Sequence, residues 1–330
     1  MDRRSLFGLC CRTLAGCLLG LMIGNSALAQ KYPNRPIRLV MPYPSGASSN
    51  DILARQIAPK LTERWGVNVV VDNRSGASGN IGAEIVARSP ADGYTLLYGT
   101  GGLLSIGPHI YSKLAYDPQK DLAPVALMAV VPYLLVINAS LPVRNLDEFI
   151  AYAKARPGKL SFASSGVGGT PHLCVEMLKS MTGIDMLHVP YKGGAPAVVD
   201  TIGGQTQMYC AGLAATLPHV RSGKLRALGV TTSKRSPGAP DMPTLDEQGL
   251  KGFDVNSWGA IFVPAKTPKH VIEIIHQSVA AVVNTDAMRD TLIKQGMDPV
   301  LLGPQALGDL VKTESARWAT VVKSAGIRME

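Results

Sequence analysis

The sequence predicts an α/β protein. Short apolar runs of roughly four to six residues alternate with amphipathic segments of ten or more, which is the signature of βαβ units. Glycine, serine and proline clusters separate the two kinds of segment. No low-complexity tract or fixed-period repeat competes with this reading.

The elements follow in order. Residues 37–41, IRLVM, form a nearly continuous apolar run suited to a strand buried on both faces, and they lead into a helix over 50–63. Residues 67–71 form a strand before a helix over 80–88. The longest apolar stretch, 125–137, is interrupted by Pro132 and is too short to cross a bilayer. A strand over 160–163 precedes a helix over 171–181, and one over 186–189 precedes a helix over 196–202. Residues 225–230 form another strand, and long helices over 268–284 and 304–323 follow.

In parallel α/β sheets, ligands sit beyond the carboxyl ends of strands, where loops enter helices. Residues 162–173, FASSGVGGTPHL, have that design. Thr170 suits an N-cap, and Pro171 suits the first helical turn, where its missing N–H costs nothing. Gly166, Gly168 and Gly169 let backbone approach a ligand and turn N–H groups inward, at a helix start that favours anions. The P-loop lysine is missing, since Gly169 is followed by Thr170, Pro171 and His172. The dinucleotide fingerprint fails at Pro171, and the Gly-x-Ser-x-Gly elbow occurs nowhere. With no lysine or arginine in the loop, a carboxylate fits better than a phosphate. Residues 42–51, PYPSGASSND, repeat the pattern, with Ser48, Ser49 and Asn50 as N-cap candidates. Asp51 there is read as a partner of the helix dipole rather than a ligand contact.

The beginning of the chain sets the compartment. Arg3-Arg4, an apolar segment over 13–24 and Ala27-Leu28-Ala29 are expected to be an export signal cleaved after Ala29, with a twin-arginine look and no lipidation at Cys17. Cys174 and Cys210 remain, either bridged or as two buried thiols, and sequence alone leaves both open. No metal or thiol-redox motif occurs. The net charge of +9 is scattered, with no basic run, so no nucleic-acid partner is expected. His109, His188, His219, His270 and His276 are read as structural or surface residues, and His172 as packing its helix. Tyr191 and Lys192, after a strand, are within reach of a cleft, and Trp258 is assigned to a hinge or a core.

Several stretches then point to a family. They include Tyr32-Pro33-x-x-Pro36-Ile37, residues 72–82 (DNRSGASGNIG), Asp92-Gly93-Tyr94-Thr95, Tyr116-Asp117-Pro118, Val189-Pro190-Tyr191-Lys192-Gly193 and Gly223-Lys224-Leu225-Arg226. In this order and spacing, together with the two glycine/serine loops, the chain resembles the periplasmic substrate-binding receptors of tripartite tricarboxylate transporters, the Bug receptors. The resemblance implies a type II periplasmic binding protein: two α/β lobes joined by two crossover segments, with the ligand cleft between them. The first lobe would comprise residues 30–131 and 256–330, and the second residues 132–255. Carried onto matching positions, one carboxylate would be gripped by Tyr43, Ser45, Gly46, Ser48 and Ser49 from one side. Ser165, Gly166, Gly168, Gly169 and Thr170 would grip it from the other. The resemblance further implies a monomeric receptor without cofactor that hands a small carboxylated metabolite to membrane transporter subunits. A sensor for a signalling partner would use the same site. An enzyme on this scaffold would need a base or nucleophile that neither loop supplies.

This chain departs from the family pattern in three places. The first loop is one residue longer, which leaves the register of Ser48, Ser49 and Asn50 open. Ala211 stands where many members have aspartate, and Gly107 stands before Pro108 where many have asparagine. The distal half of the pocket is therefore expected to be smaller and more apolar than a tricarboxylate needs.

Overall fold

A computed structural model describes residues 32–46 and 49–328, and every element below belongs to the unit that begins at Arg35. The expected export signal, residues 1–29, lies outside the described residues.

Strand β1 (Ile37–Met41) pairs in parallel with β2 (Val69–Asn73) and β3 (Thr95–Gly99). Helix α1 (Ser49–Trp65) buries Leu53, Ala54, Ile57, Ala58 and Leu61, whose three- and four-residue spacing makes one apolar stripe. A 3₁₀ turn (Ala77–Gly79) leads into α2 (Asn80–Ala87). After β3 the chain makes a π turn (Gly102–Ile106) and the short α3 (Gly107–Ile110). Such turns are rare, and they concentrate at functional sites.

The apolar stretch around Pro132 becomes one long strand, β4 (Leu122–Asn138), which serves two groups of partners. Its first part pairs antiparallel with β9 (Asn256–Pro264) and β10 (Asp298–Leu302). Its last part pairs antiparallel with β7 (Met208–Gly212) and β8 (Leu225–Val230). Pro132 stands where the partner changes, between Pro132↔Asn256 and Tyr133↔Gly212. There its missing N–H costs the ladder least. Strand β5 (Leu160–Ser164) pairs in parallel with β6 (Met186–Pro190) and with β7. The predicted parallel units thus exist on both flanks, while the crossover strands run antiparallel to their neighbours. Alternation of strand and helix along a sequence carries no sign of strands that return from far away.

The remaining helices are α4 (Leu146–Lys154), α5 (Thr170–Thr182), α6 (Gly194–Ile202), α7 (Leu213–Arg221), α8 (Lys269–Val283), α9 (Asp286–Lys294) and α10 (Pro304–Ser324). Leu97, Leu104, Trp258, Phe262 and Leu307 share one buried cluster. A second cluster joins Phe149, Phe162, Leu173 and Leu178 to Trp318 and Val322 of α10, so the last helix ends in the core built around β5 and α5.

Candidate functional site

The first loop leaves β1 and is organised from below by a buried carboxylate. Asp51 accepts hydrogen bonds from the Gly46 N–H at 3.2 Å, Asn73 Nδ2 at 3.0 Å and Arg55 Nε at 2.8 Å. Burial alone would raise its pKa, but Arg55, Asn73 and the Gly46 N–H together hold it below the usual carboxylate range. Arg55 also donates to Ser45 Oγ at 2.9 Å and to Asn73 Oδ1 at 2.7 Å. The arginine nearest the loop is therefore occupied in shaping it. Tyr43 shares a 2.7 Å hydrogen bond with Thr100 Oγ1 through its hydroxyl, and burial pushes its pKa up to about 12, so the hydroxyl stays neutral.

The glycine loop between β5 and α5 adopts conformations that require glycine, with Gly166 at φ 141° and Gly168 at φ 75°. Two of its N–H groups turn back on the protein rather than toward a ligand. Gly166 N–H donates to Ser164 Oγ at 3.2 Å, and Gly168 N–H donates to His172 Nδ1 at 3.1 Å. This corrects the expectation that both amides face the anion: short-range side-chain acceptors, the hydroxyl two residues before and the imidazole four residues after, capture them first. The loop's uncommitted polarity sits at its end, where no side chain caps α5 at Gly169.

Beneath the loop, the rings of His172 and His188 stack at 3.7 Å and 8°, and Phe162 stacks on His188 at 4.9 Å. His188 Nε2 shares a 2.6 Å hydrogen bond with Ser164 Oγ. Burial, aided by the Lys179 ammonium, pushes the His172 pKa down to about 4. Burial and the His172 ring do the same for His188. Both histidines are therefore neutral at pH 7, and His172 can accept from Gly168. The unfolded chain binds these protons near pH 6.5, so the contribution is complete above that value and is lost as pH falls from 6.5 to 4. The urea midpoint of the native protein is expected to fall over that window more steeply than that of His172→Phe, which keeps a ring but cannot titrate. Parallel slopes would remove His172 from this account.

Both loops meet in a cavity of about 320 Å³. Tyr43, Ser165, Gly166, Gly168, Gly169 and Thr170 line it. Ser45 and Gly46 are held instead in the Arg55–Asp51 network. Ser49 lines an adjoining chamber of about 610 Å³. Ser48 lies outside the described residues. The two chambers share Asn50, Tyr133, Ser165, Pro171 and Ser257, so they form one cleft. Among the described residues no lysine or arginine lines either chamber.

Sequence reasoning missed Ser78, Thr100, Tyr111, Tyr133 and Ser257. Tyr133 and Ser257 lie on the crossover strands, and the hydroxyls of Thr170 and Ser257 partner that of Tyr133. Ser78 had a signal only in its backbone: Ala77 and Ser78 stand at φ 46° and 54°, a conformation that non-glycine residues rarely adopt outside functional turns. Tyr111 donates to Ser78 Oγ at 2.6 Å across the rim.

Ala211 and Gly212, at the end of β7, line the second chamber, as does His219, which was expected to be structural or surface. Gly107 lines the first chamber. Tyr191 and Lys192 line neither; the Tyr191 hydroxyl donates to Asp200 at 2.7 Å. Trp258 is buried and donates to Glu314 at 2.9 Å. Cys174 of α5 and Cys210 of β7 form a disulfide with Cα atoms 6.3 Å apart, which settles the pairing that sequence left open. Among the described residues no His, Cys, Asp and Glu cluster could hold a metal, and no helix is long and apolar enough to cross a membrane.

Comparison with known proteins gives a consistent set of relatives. A family model described as the tripartite tricarboxylate transporter family receptor matches residues 53–327. The solved structure of Rpa4515 from R. palustris with adipate is 40% identical, with a TM-score of 0.79, covering 90% of this chain and 99% of that one. The periplasmic binding protein BugD is 35% identical with a TM-score of 0.75, covering 91% and 100%. MatC from Rhodopseudomonas palustris with bound malate is 31% identical with a TM-score of 0.74, covering 88% and 100%.

Proposed function

Because the chain belongs to the family of tripartite tricarboxylate transporter receptors, we propose that it captures a small carboxylate in the cleft between β1 and β5 and delivers it to membrane transporter subunits. Members of this family are solute-binding receptors, so the chain is a receptor and not an enzyme. One observation carries the ligand reading: two glycine/serine loops and the hydroxyls of Tyr43, Tyr133 and Thr170 converge on one cavity that, among the described residues, no lysine or arginine lines. Such a site suits a single carboxylate held by neutral donors and a helix start. Relatives bound to adipate and malate support the same class of solute.

On this reading Tyr43, Ser165, Gly166, Gly168, Gly169 and Thr170 form the wall around the carboxylate, with Ser49 in the adjoining chamber. Ser45 and Gly46 set the shape of the first loop. Residues 30–131 with 256–330 and residues 132–255 act as two lobes that close on the solute, and a transporter distinguishes the loaded shape. The receptor works as a monomer in the periplasm after cleavage behind Ala29. Crossover strands β4 and β9 permit such a hinge, because two connections allow bending while resisting twist.

Thermal-shift measurements at neutral pH are expected to show stabilisation by a small carboxylic acid and none by its amide, with a smaller radius of gyration in solution scattering when the acid is bound. Equal stabilisation by acid and amide would overturn the carboxylate site. An unchanged radius would replace closure with static capture.

A further inference from the structure

We propose that the solute joins its carboxylate to a hydrocarbon body free of hydroxyl groups, and that this body lies in the second chamber. The inference rests on the carboxylate reading above and adds the chemistry of the rest of the molecule.

The second chamber is walled by Val131, Ala195, Val198, Val199, Ala211 and Ala215. Beyond the residues it shares with the first chamber, its polar side chains are Ser49, Tyr209 and His219. Two exposed large hydrophobic side chains stand in this cleft: Val199, 64% exposed, in the second chamber, and Val167, 46% exposed, in the first. Neither packs into the core, so each leaves apolar surface wet until something covers it. A hydrocarbon body covers it and gains the transfer free energy of that surface. A body bearing hydroxyls must strip water from each one against alanine and valine, and every hydroxyl left without a partner weakens binding.

Charge sets a further limit. Among the described residues no lysine or arginine lines either chamber, so several carboxylates on one solute would stand uncompensated. A single terminal carboxylate at the far end is compatible, because α6 and α7 start at this chamber without side-chain caps, with Gly194 and Gly212 in its wall. Gly194 also leaves room for Tyr209: a Cβ there would come to 3.1 Å from the tyrosine hydroxyl. The solute class is therefore an unsubstituted aliphatic or aromatic acid, with one carboxylate in the first chamber and at most one more beyond the apolar body.

Calorimetry on the purified full chain tests this with three probes: hexanoate, adipate, and galactarate, which is adipate hydroxylated at every internal carbon. Adipate or hexanoate is expected to bind about a hundredfold or more tighter than galactarate. Val199→Asn, at an exposed position that does not threaten folding, is expected to weaken the preferred acid about tenfold. Galactarate binding as tightly as adipate would overturn the hydrocarbon body and leave the receptor reading intact. Unchanged affinity in Val199→Asn would remove the second chamber from the solute's path. Binding of none of the three would also overturn the inference, and the acid-against-amide comparison decides the receptor reading separately.

Discussion

Replacing Cys174 and Cys210 together with alanine is expected to lower the free energy of unfolding by about 4 kcal/mol, the chain-entropy value for a bridge of this span. The two cysteines are 36 residues apart, and both are fully buried. Cutting the bridge frees a long loop in the unfolded chain and removes packed sulfur from the core that holds Phe162 and Leu173. The effect reaches the site because of what the bridge joins. Cys174 is one turn into α5, four residues after Thr170, while Cys210 precedes Ala211 and Gly212 in β7. The bridge thus ties a wall of the first chamber to a wall of the second. Urea unfolding of the variant against the native protein, with intact mass confirming the bridge in the latter, measures the loss. A difference below about 1 kcal/mol would show that the loop is restrained without the disulfide.

That bridge marks where the sequence stops being informative. The two loops were legible because their instructions are local: glycines where φ is positive, a serine beside them, and threonine then proline at a helix start. The wall residues Tyr133 and Ser257 carry no such mark. They reach the cavity because β4 runs past Pro132 from one set of partners to another and because β9 returns beside it. The parallel pairing of β5 with β6 brings His188 under His172 of α5, although nothing in their spacing suggests a stacked pair. Even within a loop, composition misled on direction. Glycines announced backbone approach, yet the acceptors that captured Gly166 and Gly168 were Ser164, which carried no reading, and His172, which was read as packing its helix. Asp51 was read as a partner of the helix dipole; its network with Arg55 and Asn73 needed β2 beside the loop to be seen.

Gly259→Ala is expected to destabilise the protein by about 2 kcal/mol or more and to weaken solute binding with it. Gly259 lies on β9 opposite Ala129 of β4, within the crossover pair. A Cβ there would overlap the Tyr98 hydroxyl oxygen and come to 2.7 Å from Tyr98 Cζ and 3.1 Å from Leu53 Cδ2. Tyr98 is fully buried and cannot swing into solvent. Its hydroxyl donates to Asn50 Oδ1 at 3.1 Å, and Asn50 lines both chambers. The added methyl must therefore displace Tyr98, and the displaced ring takes the support from Asn50, so one clash in the core is felt in the cleft. A double-mutant cycle isolates this path. Tyr98→Phe alone should cost about 1 kcal/mol for the lost hydrogen bond. In the Gly259→Ala background it removes the nearest clashing atom, so its cost should vanish or change sign. Strictly additive losses in stability would mean that the methyl is accommodated by strand movement, and that Tyr98 does not connect the crossover to the site.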